Sequence, residues 1–559
     1  MEEKISQSIK SLFDIDVTVQ LTRPEPEFGD YATNIALQLA GRLGKSPREI
    51  ADTIASRLRE TGDFSEVSVA GPGFINIRVS GASVARTLNE QWTDTFGSNQ
   101  DGAGKTVVVE YPSPNMAKPY SVGHLRPGNQ GWAAKQLMEV TGWHVITDNH
   151  LGDYGAPLGI WITGFLAFSN EEALEKGGVY ELGRVYIETK KALKEEKERG
   201  ESALADQVQE WLLRFEADDE VAKSYSERFN RISLEHIHTV MRRLNISTEF
   251  ELGEAFFAPK GKQAVQMLLE KGVATQNDDG SIIVPLDGFD VPLLVQKSNG
   301  AALYATSDLA TILYREEQWH PDKVIYAVGA EQQFYFTQLF AMAKKLGIST
   351  ELIHLWFGTI DQLNEDGTRE KMSSRKGVVL MEELLDRAED YARTIVEGRD
   401  VDESDVKKIA LGAIKFSDFI SDRRTNILFD WGHIFALSGF SGPYVQYAAV
   451  RLNKILKENG SGSNYTESYD YEAEKAILAK ILEYPHVVRL SARDLEPHRI
   501  ASYLYELGRE MNRYYEVTPV ATGNVSDEQK AARLGVITKV SHVFTHGLSI
   551  LGIEVPSQM

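Results

Sequence analysis

The sequence predicts a multidomain α/β and all-α protein, in which a Rossmann-type parallel-sheet domain lies between an N-terminal α+β domain and a C-terminal helical bundle. Short apolar runs alternate with helical segments from Lys105 onward, which is typical of a parallel sheet covered on both faces. From about residue 401 the spacing of apolar residues is helical almost throughout. A polar, glycine-rich stretch at 97–104 precedes the first of these regions. We therefore expect three domains, at residues 1–104, 105–400 and 401–559.

The first region combines helical and strand-like segments, as expected for an α+β domain. Helical periodicity runs through Ile35–Leu43 and again through Ile50–Leu58, which follows Pro47. Two segments have the composition of strands, Val17–Thr22 and Phe74–Val79, and a Gly-Pro-Gly turn signal precedes the second.

The central region contains five short apolar runs that we interpret as parallel strands. A charged helical insertion at about 168–220 interrupts the alternation, and its residues 171–220 hold 15 acids and 8 bases. The expected strands are Val107–Tyr111, Trp143–Asp148, Val291–Val295, Val324–Val328 and Leu352–Phe357.

The composition of the 559-residue chain excludes several classes of protein. The chain has no cysteine, which excludes a disulfide framework, a thiol nucleophile and an iron–sulfur cluster. No apolar run approaches the roughly 18 residues that a membrane span needs. The first ten residues, MEEKISQSIK, lack the apolar core of a signal peptide. We therefore expect a cytoplasmic protein that makes no contact with a membrane.

The net charge of −21, from 60 basic and 81 acidic residues, at first argues against a nucleic-acid partner. The acidity is uneven, however, because residues 401–559 hold 18 bases and 20 acids. Salt screens each charge over about 8 Å, so local patches decide whether RNA can bind. The net charge therefore does not prevent the helical region from binding RNA. We expect base stacking and shape to determine the specificity of that binding.

The segment after the first central strand has the features of a ligand site. In VVVEYPSPNMAKPYSVGHLRPGNQG a buried strand ends near Glu110, and a loop with three prolines leads to a helix that begins near Gly123 and His124. Ligands bind beyond the carboxyl ends of parallel strands, and a helix N-terminus attracts phosphate. Lys118 adds a positive charge to this loop. The alternative is a plain strand–helix turn with a capping Ser121 and a surface histidine.

A second basic loop, DQLNEDGTREKMSSRKG at 361–377, follows the last expected parallel strand. Its glycines and serines would permit movement, and Lys371, Arg375 and Lys376 could neutralise a triphosphate as charge develops in a transition state. A solvated basic loop is the alternative interpretation.

Together these motifs resemble those of a known enzyme family. The Gly-His turn and the KMSSRKG loop look like the two signatures of class I aminoacyl-tRNA synthetases, and SPNMAKPYSVGHLR, NHLGDYGAPLG, LYATSDLA, VGAEQQFYF, YVQYAAVR and LGIEVPSQM resemble arginyl-tRNA synthetases. The resemblance implies a monomer in which L-arginine and ATP, with Mg²⁺, form arginyl-adenylate and arginine then passes to tRNA-Arg. It assigns catalytic roles to Lys118, Ser121, Gly123, His124, Lys371, Met372, Ser373, Arg375 and Lys376. Of these, Lys118, Gly123, His124, Lys371 and Ser373 would bind ATP.

The resemblance also implies an arginine pocket. A guanidinium is a planar set of donors that keeps its charge, so its pocket needs carboxylates placed for paired hydrogen bonds. Tyr304 and Asp308 are four residues apart, which puts them on one face if a helix begins there. From the residues alone, Asp308 could equally be a helix cap and Tyr304 a half-buried core ring. The family's substrate residues correspond to Glu110, Asn115, Tyr304, Asp308 and Gln332.

In the same family the helical region is an anticodon-binding domain and the N-terminal region binds the tRNA elbow. Aromatic rings stack on unpaired bases, and the resemblance places Tyr444, Tyr447 and Met559 at the anticodon and Asn76 at the elbow. The alternatives are a packed pair of helix residues for the tyrosines and a plain strand position for Asn76.

Three positions depart from the family pattern. Ser121 stands in place of the first signature histidine, Ser374 in place of a signature lysine, and Tyr335 where many relatives have histidine. Ser121 motivates a second hypothesis, a non-catalytic RNA-binding relative, and a Rossmann nucleotidyltransferase for a small metabolite is a more distant one. His236 and His238 would point to nearly opposite sides of a helix, so we expect no metal site there.

Overall fold

The chain forms two compact units in a computed structural model that describes residues 2–22, 24–62, 64–154, 156–299, 303–363, 367–372, 379–462, 465–520 and 523–559. The first unit comprises Met1–Phe96, Arg451–Pro485 and Glu506–Phe544. The second unit comprises Gly97–Val450, His486–Tyr505 and Thr545–Met559.

Strands and helices are numbered separately along the chain. The strands are β1 Tyr31–Thr33, β2 Phe64–Ala70, β3 Phe74–Val79, β4 Thr106–Glu110, β5 His144–Asp148, β6 Thr275–Gln276, β7 Ile282–Val284, β8 Leu293–Gln296, β9 Lys323–Tyr326, β10 Glu351–His354, β11 Ile360–Leu363, β12 Arg369–Lys371 and β13 Ile427–Leu428. The helices are α1 Glu2–Phe13, α2 Ile35–Leu43, α3 Pro47–Glu60, α4 Gly81–Gln91, α5 Leu125–Val140, α6 Ala156–Phe168, α7 Glu171–Arg199, α8 Ala203–Glu216, α9 Glu220–Arg243, α10 Glu254–Glu270, α11 Tyr304–Trp319, α12 Gln333–Leu346, α13 Met381–Ile395, α14 Glu403–Asp418, α15 Trp431–Ile434, α16 Gly442–Asn459, α17 Lys475–Asp494, α18 His498–Val517 and α19 Asp527–Ile550.

In the first unit, an antiparallel sheet of order β1-β3-β2 packs against helices. Ile50, Ile54 and Leu58 recur with helical spacing along α3, and they are fully buried together with Ile75 and Ile77 of β3. The apolar stripe of the helix and the inner face of the strand therefore form one core.

The predicted strand Val17–Thr22 is wrong. Thr22 makes a single bridge to Ala32, and the rest of the segment is not part of a strand. Val19 is nevertheless buried in the core of the first unit. The apolar pattern therefore indicated burial correctly, but it could not indicate whether a partner strand was available.

A four-stranded parallel sheet of order β10-β9-β4-β5 forms the centre of the second unit. Val107, Val108 and Val109 of β4 are all fully buried, so both faces of the sheet are covered, as the continuously apolar runs predict. Glu110 is in register with Asp148 of β5 and with Tyr326 of β9. The carboxyl ends of three neighbouring strands therefore lie side by side.

One of the five expected parallel strands belongs to a different sheet. The run Val291–Val295 overlaps β8, which pairs antiparallel with β7 in a sheet of order β6-β7-β8. Leu293 and Val295 are buried, whereas Val291 and Leu294 are exposed. Such alternation is typical of an antiparallel sheet covered on one face, and an apolar run does not by itself distinguish the two kinds of pairing.

The second unit also holds a three-stranded sheet of order β12-β11-β13, and helices pack around its sheets. Helices α6, α9, α13 and α14 share one hydrophobic core, while α10, α11 and α12 pack with strands of both the parallel and the antiparallel sheet. The stretch predicted as an insertion forms α7 and α8, and the chain from Glu403 onward is mostly helical, as predicted. Within the part of the chain that the structure describes, no helix is long and apolar enough to cross a membrane.

Candidate active site

A cavity of about 530 Å³ opens where β4, β5 and β9 end. Its position follows from the topology, because the carboxyl ends of parallel strands leave a crevice that only loops and helix ends can line. The lining includes His124 and all five residues that the resemblance assigns to arginine binding, namely Glu110, Asn115, Tyr304, Asp308 and Gln332.

Glu110, which lines this cavity, already contacts a buried guanidinium that is not itself part of the lining. The Arg315 side chain is almost fully buried, and its Nη2 lies 2.7 Å from Glu110 Oε2 and 2.7 Å from Asp148 Oδ2. Burial works to lower the pKa of Arg315, but the two carboxylates help to hold that pKa above its ordinary value. The charge of Glu110 is therefore partly compensated within the protein, since it shares the single charge of Arg315 with Asp148.

Asp308 provides a carboxyl group that forms no ion pair with another described residue, although the charge of Arg315 acts on it. It lies one turn after Tyr304, which is the first residue of α11 and is 70% exposed in the cavity. Burial raises the pKa of Asp308 to about 6, against the opposing effects of His150 and of a hydrogen bond from Tyr335. A bound cation would shift this group toward its charged form. Asp308 is inside the helix, so it is not the helix cap.

The loop that carries Asn115 is fastened to the loop after β5. Met116 N–H donates to Gly152 O over 3.2 Å, and Gly152 N–H donates to Pro114 O over 3.3 Å. A Cβ atom at Gly152 would lie 2.5 Å from Asn115 Oδ1, so only glycine permits this approach. Asn115 is thereby held at the cavity wall.

Three residues of the cavity were missed by the sequence reasoning. The Tyr335 hydroxyl donates a hydrogen bond to Asp308 Oδ2. Glu254 begins α10, and burial raises its pKa to about 7, with a further increase from the charges of Asp308 and Asp153. His150 stacks on Phe257 with ring centroids 5.6 Å apart. No helix was predicted to begin at Glu254, so no signal in the sequence pointed to it, whereas Tyr335 had been noted only as a departure.

A smaller second cavity adjoins the first, and the two share Pro127 and Gly329 in their walls. Gly123, Lys371 and Met372 line this second cavity, so the two predicted signature segments meet here. Lys371 Nζ lies 2.6 Å from Glu331 Oε1, and this contact lowers the pKa of Glu331. Both partners are substantially exposed, so the ion pair is weak and a polyphosphate could displace it.

His124 faces the first cavity from a short turn, Val122–His124, that leads into α5. The backbone N–H of Ser121 donates to His124 Nδ1 over 3.4 Å, and Ser121 Oγ lies 3.3 Å from the same atom. Because a backbone N–H can only donate, Nδ1 accepts and the ring proton lies on Nε2. Burial lowers the pKa of His124 to about 4, aided by the charge of Lys118. At neutral pH the ring is an uncharged Nε2–H donor.

The remaining predicted catalytic residues are not all gathered at these cavities. Lys118 is absent from both linings, and its Nζ lies 4.5 Å from the centroid of the Tyr186 ring. Ser121 contacts His124 and lines neither cavity. Ser373, Arg375 and Lys376 lie outside the described residues.

Of the two histidines on α9, His236 supports the site loop. His236 Nε2 accepts a hydrogen bond from Tyr120 N–H over 3.0 Å, and His238 Nε2 lies 2.9 Å from Glu251 Oε1. Among the residues that the structure describes, no group of three or more histidine, aspartate and glutamate side chains could hold a metal ion.

The residues predicted to bind tRNA differ in exposure. Tyr447 on α16 is 40% exposed, and Tyr444 is half-buried with its ring edge-on to Tyr505. Met559 is half-buried and packs against a core of the second unit. Asn76 is buried in β3, in register with strands on both sides. Of these four residues, Tyr447 therefore has the side chain most accessible to tRNA, and Asn76 the least accessible.

The parallel sheet, the Gly-His turn at its carboxyl edge and the adjoining Lys-Met segment define the catalytic domain of a class I aminoacyl-tRNA synthetase. Residues 89–431 match the family described as tRNA synthetases class I (R), catalytic domain. Residues 1–79 match the arginyl tRNA synthetase N terminal domain, and residues 445–559 match the DALR anticodon binding domain. The chain belongs to the arginyl-tRNA synthetase family, as the sequence motifs predict.

Similarity to individual proteins extends over the whole chain. The arginine–tRNA ligase of Clostridium perfringens is 33% identical over 100% of this chain and 99% of its own length, and that of Oenococcus oeni is 31% identical with the same coverage. The arginyl-tRNA synthetase structure from Thermus thermophilus is similar with a TM-score of 0.79 and 23% identity, covering 100% of this chain and 99% of that one. The predicted fold class is thereby confirmed.

Proposed function

We propose that the chain ligates L-arginine to tRNA-Arg in two steps, through arginyl-adenylate, with consumption of ATP and release of AMP and pyrophosphate. The observation that carries the proposal is the cavity at the ends of β4, β5 and β9, whose lining unites five predicted arginine-binding residues from four separate segments. Similarity to arginine–tRNA ligases along the full chain supports the same conclusion.

Arginine recognition would depend on the carboxyl groups that Arg315 does not neutralise. Asp308 would accept hydrogen bonds from the guanidinium, and the guanidinium charge would stabilise the ionised form of the group. Tyr304 would cover the ligand from the exposed side. Asn115 and Gln332 offer amide groups to the α-amino and carboxylate atoms of the amino acid.

ATP would occupy the second cavity, next to the carboxylate of arginine that attacks the α-phosphate. Gly123 and His124 lie at the start of α5, where free N–H groups favour phosphate. The Nε2–H of His124 would donate to an oxygen of the reacting phosphate, and Lys371 would leave Glu331 to neutralise the departing pyrophosphate. We propose that Lys118, Met372, Ser373, Arg375 and Lys376 also belong to this machinery.

Mg²⁺ would accompany ATP as a complex with its phosphates, which is the usual manner of Mg²⁺ binding at such sites. Among the described residues no group of three or more acidic or histidine side chains could hold a metal ion, so the phosphate oxygens of ATP would be its main ligands.

The tRNA would contact three regions of the chain. We propose residues 1–104 as the elbow-binding domain, 105–400 as the catalytic domain and 401–559 as the anticodon-binding domain. Matches to the corresponding family domains at 1–79, 89–431 and 445–559 support this division. Tyr444, Tyr447 and Met559 would meet the anticodon and Asn76 the elbow. A cytoplasmic monomer is the expected state.

Charging of tRNA-Arg with labelled arginine tests the proposal directly. We expect arginine-specific charging by the wild-type chain, and we expect Asp308→Ala to lose most of its kcat/KM for arginine while it stays folded. Binding of tRNA without charging would instead favour the non-catalytic relative that Ser121 motivates. ATP-dependent transfer to a small metabolite would favour the nucleotidyltransferase hypothesis.

A further inference from the structure

Tyr335 lies in the first turn of α12 and faces the arginine cavity beside Asp308 of α11. Its hydroxyl donates to Asp308 Oδ2. Among the described residues, Tyr335 is the one whose side chain donates a hydrogen bond to the Asp308 carboxyl group. Burial, followed by the charge of Asp308, raises the pKa of Tyr335 well above its ordinary value, so the phenol remains a donor at every working pH.

The contact constrains the orientation of a carboxyl group that must meet a planar ligand. An unrestrained aspartate turns about its last side-chain bond, because such terminal torsions have broad energy wells. With Oδ2 bound by Tyr335, Oδ1 and one lone pair of Oδ2 remain available in a fixed plane. A guanidinium presents its donors in a rigid fork, so it gains from a carboxylate whose plane is already set.

We propose that Tyr335 is a positioning residue for arginine recognition, which orients the Asp308 carboxylate by donating a hydrogen bond to its Oδ2. The proposal rests on the proposed function, in which Asp308 binds the guanidinium. The Tyr335 ring is itself held in place, since it packs edge-on against Phe336 with centroids 5.6 Å apart.

Other charged and titratable groups also face Asp308 from the neighbouring elements. They are Glu110 of β4, His150 after β5, Glu254 of α10, Tyr326 of β9 and Arg315 of the same helix. Removal of the Tyr335 hydroxyl leaves these groups in place and deletes one interaction that lowers the pKa of Asp308. The pKa of Asp308 should therefore rise above about 6, and a larger fraction of the carboxyl group should be protonated near neutral pH.

The decisive variant is Tyr335→Phe, which keeps the ring and removes the donor. We expect the KM for arginine in tRNA charging to rise about tenfold, the size expected for a hydrogen bond to a charged group. We expect the KM values for ATP and tRNA to stay unchanged, and the acid limb of kcat/KM for arginine to move to higher pH. Tyr314→Phe is the matched control, because Tyr314 lies on the same helix as Asp308 and packs against Phe256 and Phe257.

Tyr335→His then separates the donated hydrogen bond from the shape of the ring. Recovery of the KM for arginine by histidine supports a donor role, because imidazole can also donate. An equal loss in the histidine and phenylalanine variants would overturn it, as would an unchanged KM and acid limb in folded Tyr335→Phe. If Asp308→Ala keeps its kcat/KM for arginine, the proposed role of Asp308 fails. If Asp308→Ala loses activity but Tyr335→Phe behaves as wild type, the proposed role of Tyr335 fails and that of Asp308 stands.

Discussion

Asp405, near the start of α14, fastens the C-terminal segment of the chain. Its carboxylate is almost completely buried and accepts hydrogen bonds from Ser557 N–H at 2.9 Å, from Gln558 N–H at 2.9 Å and from the Ser557 hydroxyl. Lys408 Nζ lies 3.2 Å away. We predict that Asp405→Ala releases the segment that ends at Met559, because its two backbone N–H groups lose their common acceptor.

The expected loss can be bounded from these contacts. Removal of one partner from a buried charged network costs about 3–5 kcal/mol. Ser557 and Gln558 are exposed, so water replaces part of the loss after release, and the lower figure applies. About 3 kcal/mol corresponds to a roughly hundredfold change in the equilibrium between the docked and released segment. Asp405→Asn keeps one acceptor oxygen and should destabilise the docked segment less than Asp405→Ala does.

The sign of the pH dependence follows from the same hydrogen bonds. Burial alone would raise the pKa of Asp405, but the donors of Ser557 and Gln558 lower it below its ordinary value. The ionised Asp405 carboxylate therefore stabilises the docked C-terminal segment fully at neutral pH. This stabilisation is lost only as the pH falls through the lowered pKa of Asp405.

Hydrogen exchange measured on a C-terminal peptide tests this prediction. Protection of the Ser557 and Gln558 amides should fall roughly hundredfold in Asp405→Ala, in line with 3 kcal/mol. Asp402→Asn is the matched control, since Asp402 caps the same helix by accepting from Asp405 N–H and asparagine caps equally well. Unchanged protection in Asp405→Ala would refute the reasoning. If Met559 meets the anticodon as proposed, the KM for tRNA should also rise in that variant.

Two further predictions concern the cavity and the helical region. In Glu254→Gln, the increase of kcat/KM for arginine between pH 6 and pH 8 should flatten. The reason is that a carboxyl group with a pKa of about 7 changes its ionised fraction about tenfold over that range. An equally steep profile would show that ionisation of Glu254 does not affect the use of arginine. Tyr447→Ala should raise the KM for tRNA about tenfold through loss of stacking. Val517→Ala, at another exposed apolar position of a helix, should leave that KM unchanged. If the two variants had the same KM for tRNA, Tyr447 would not contact the tRNA.

The sequence predicted best those parts of the site that local pattern determines. The apolar run before Glu110 indicated a buried parallel strand, and the end of such a strand is where ligands bind. The spacing of Tyr304 and Asp308 would put both on one face if a helix began there, and α11 does begin at Tyr304. These inferences needed only neighbouring residues and the general behaviour of parallel sheets.

The parts that were missed depend on contacts between distant segments. Arg315 follows Asp308 by seven residues, but it compensates Glu110, which lies 205 residues earlier in the chain. No local spacing indicates that pair, and none indicates that Tyr335 of α12 would reach Asp308 of α11. The strand at Val291–Val295 was misplaced for the same reason, since pairing is decided by which segments the fold brings alongside.

Ser121 was the strongest sequence argument for a non-catalytic relative, because a hydroxyl replaces a signature imidazole. In the structure Ser121 points its hydroxyl at His124 Nδ1, and its backbone N–H sets the ring proton on Nε2. The second signature histidine thus lines the cavity and keeps a neutral Nε2–H donor, and neither the donor nor its tautomer requires an imidazole at position 121. Since Gly123, Lys371 and Met372 line the adjoining cavity, the substitution leaves the groups that would act on the phosphates in place. The charging assay should therefore favour the catalytic hypothesis over the binding-only relative.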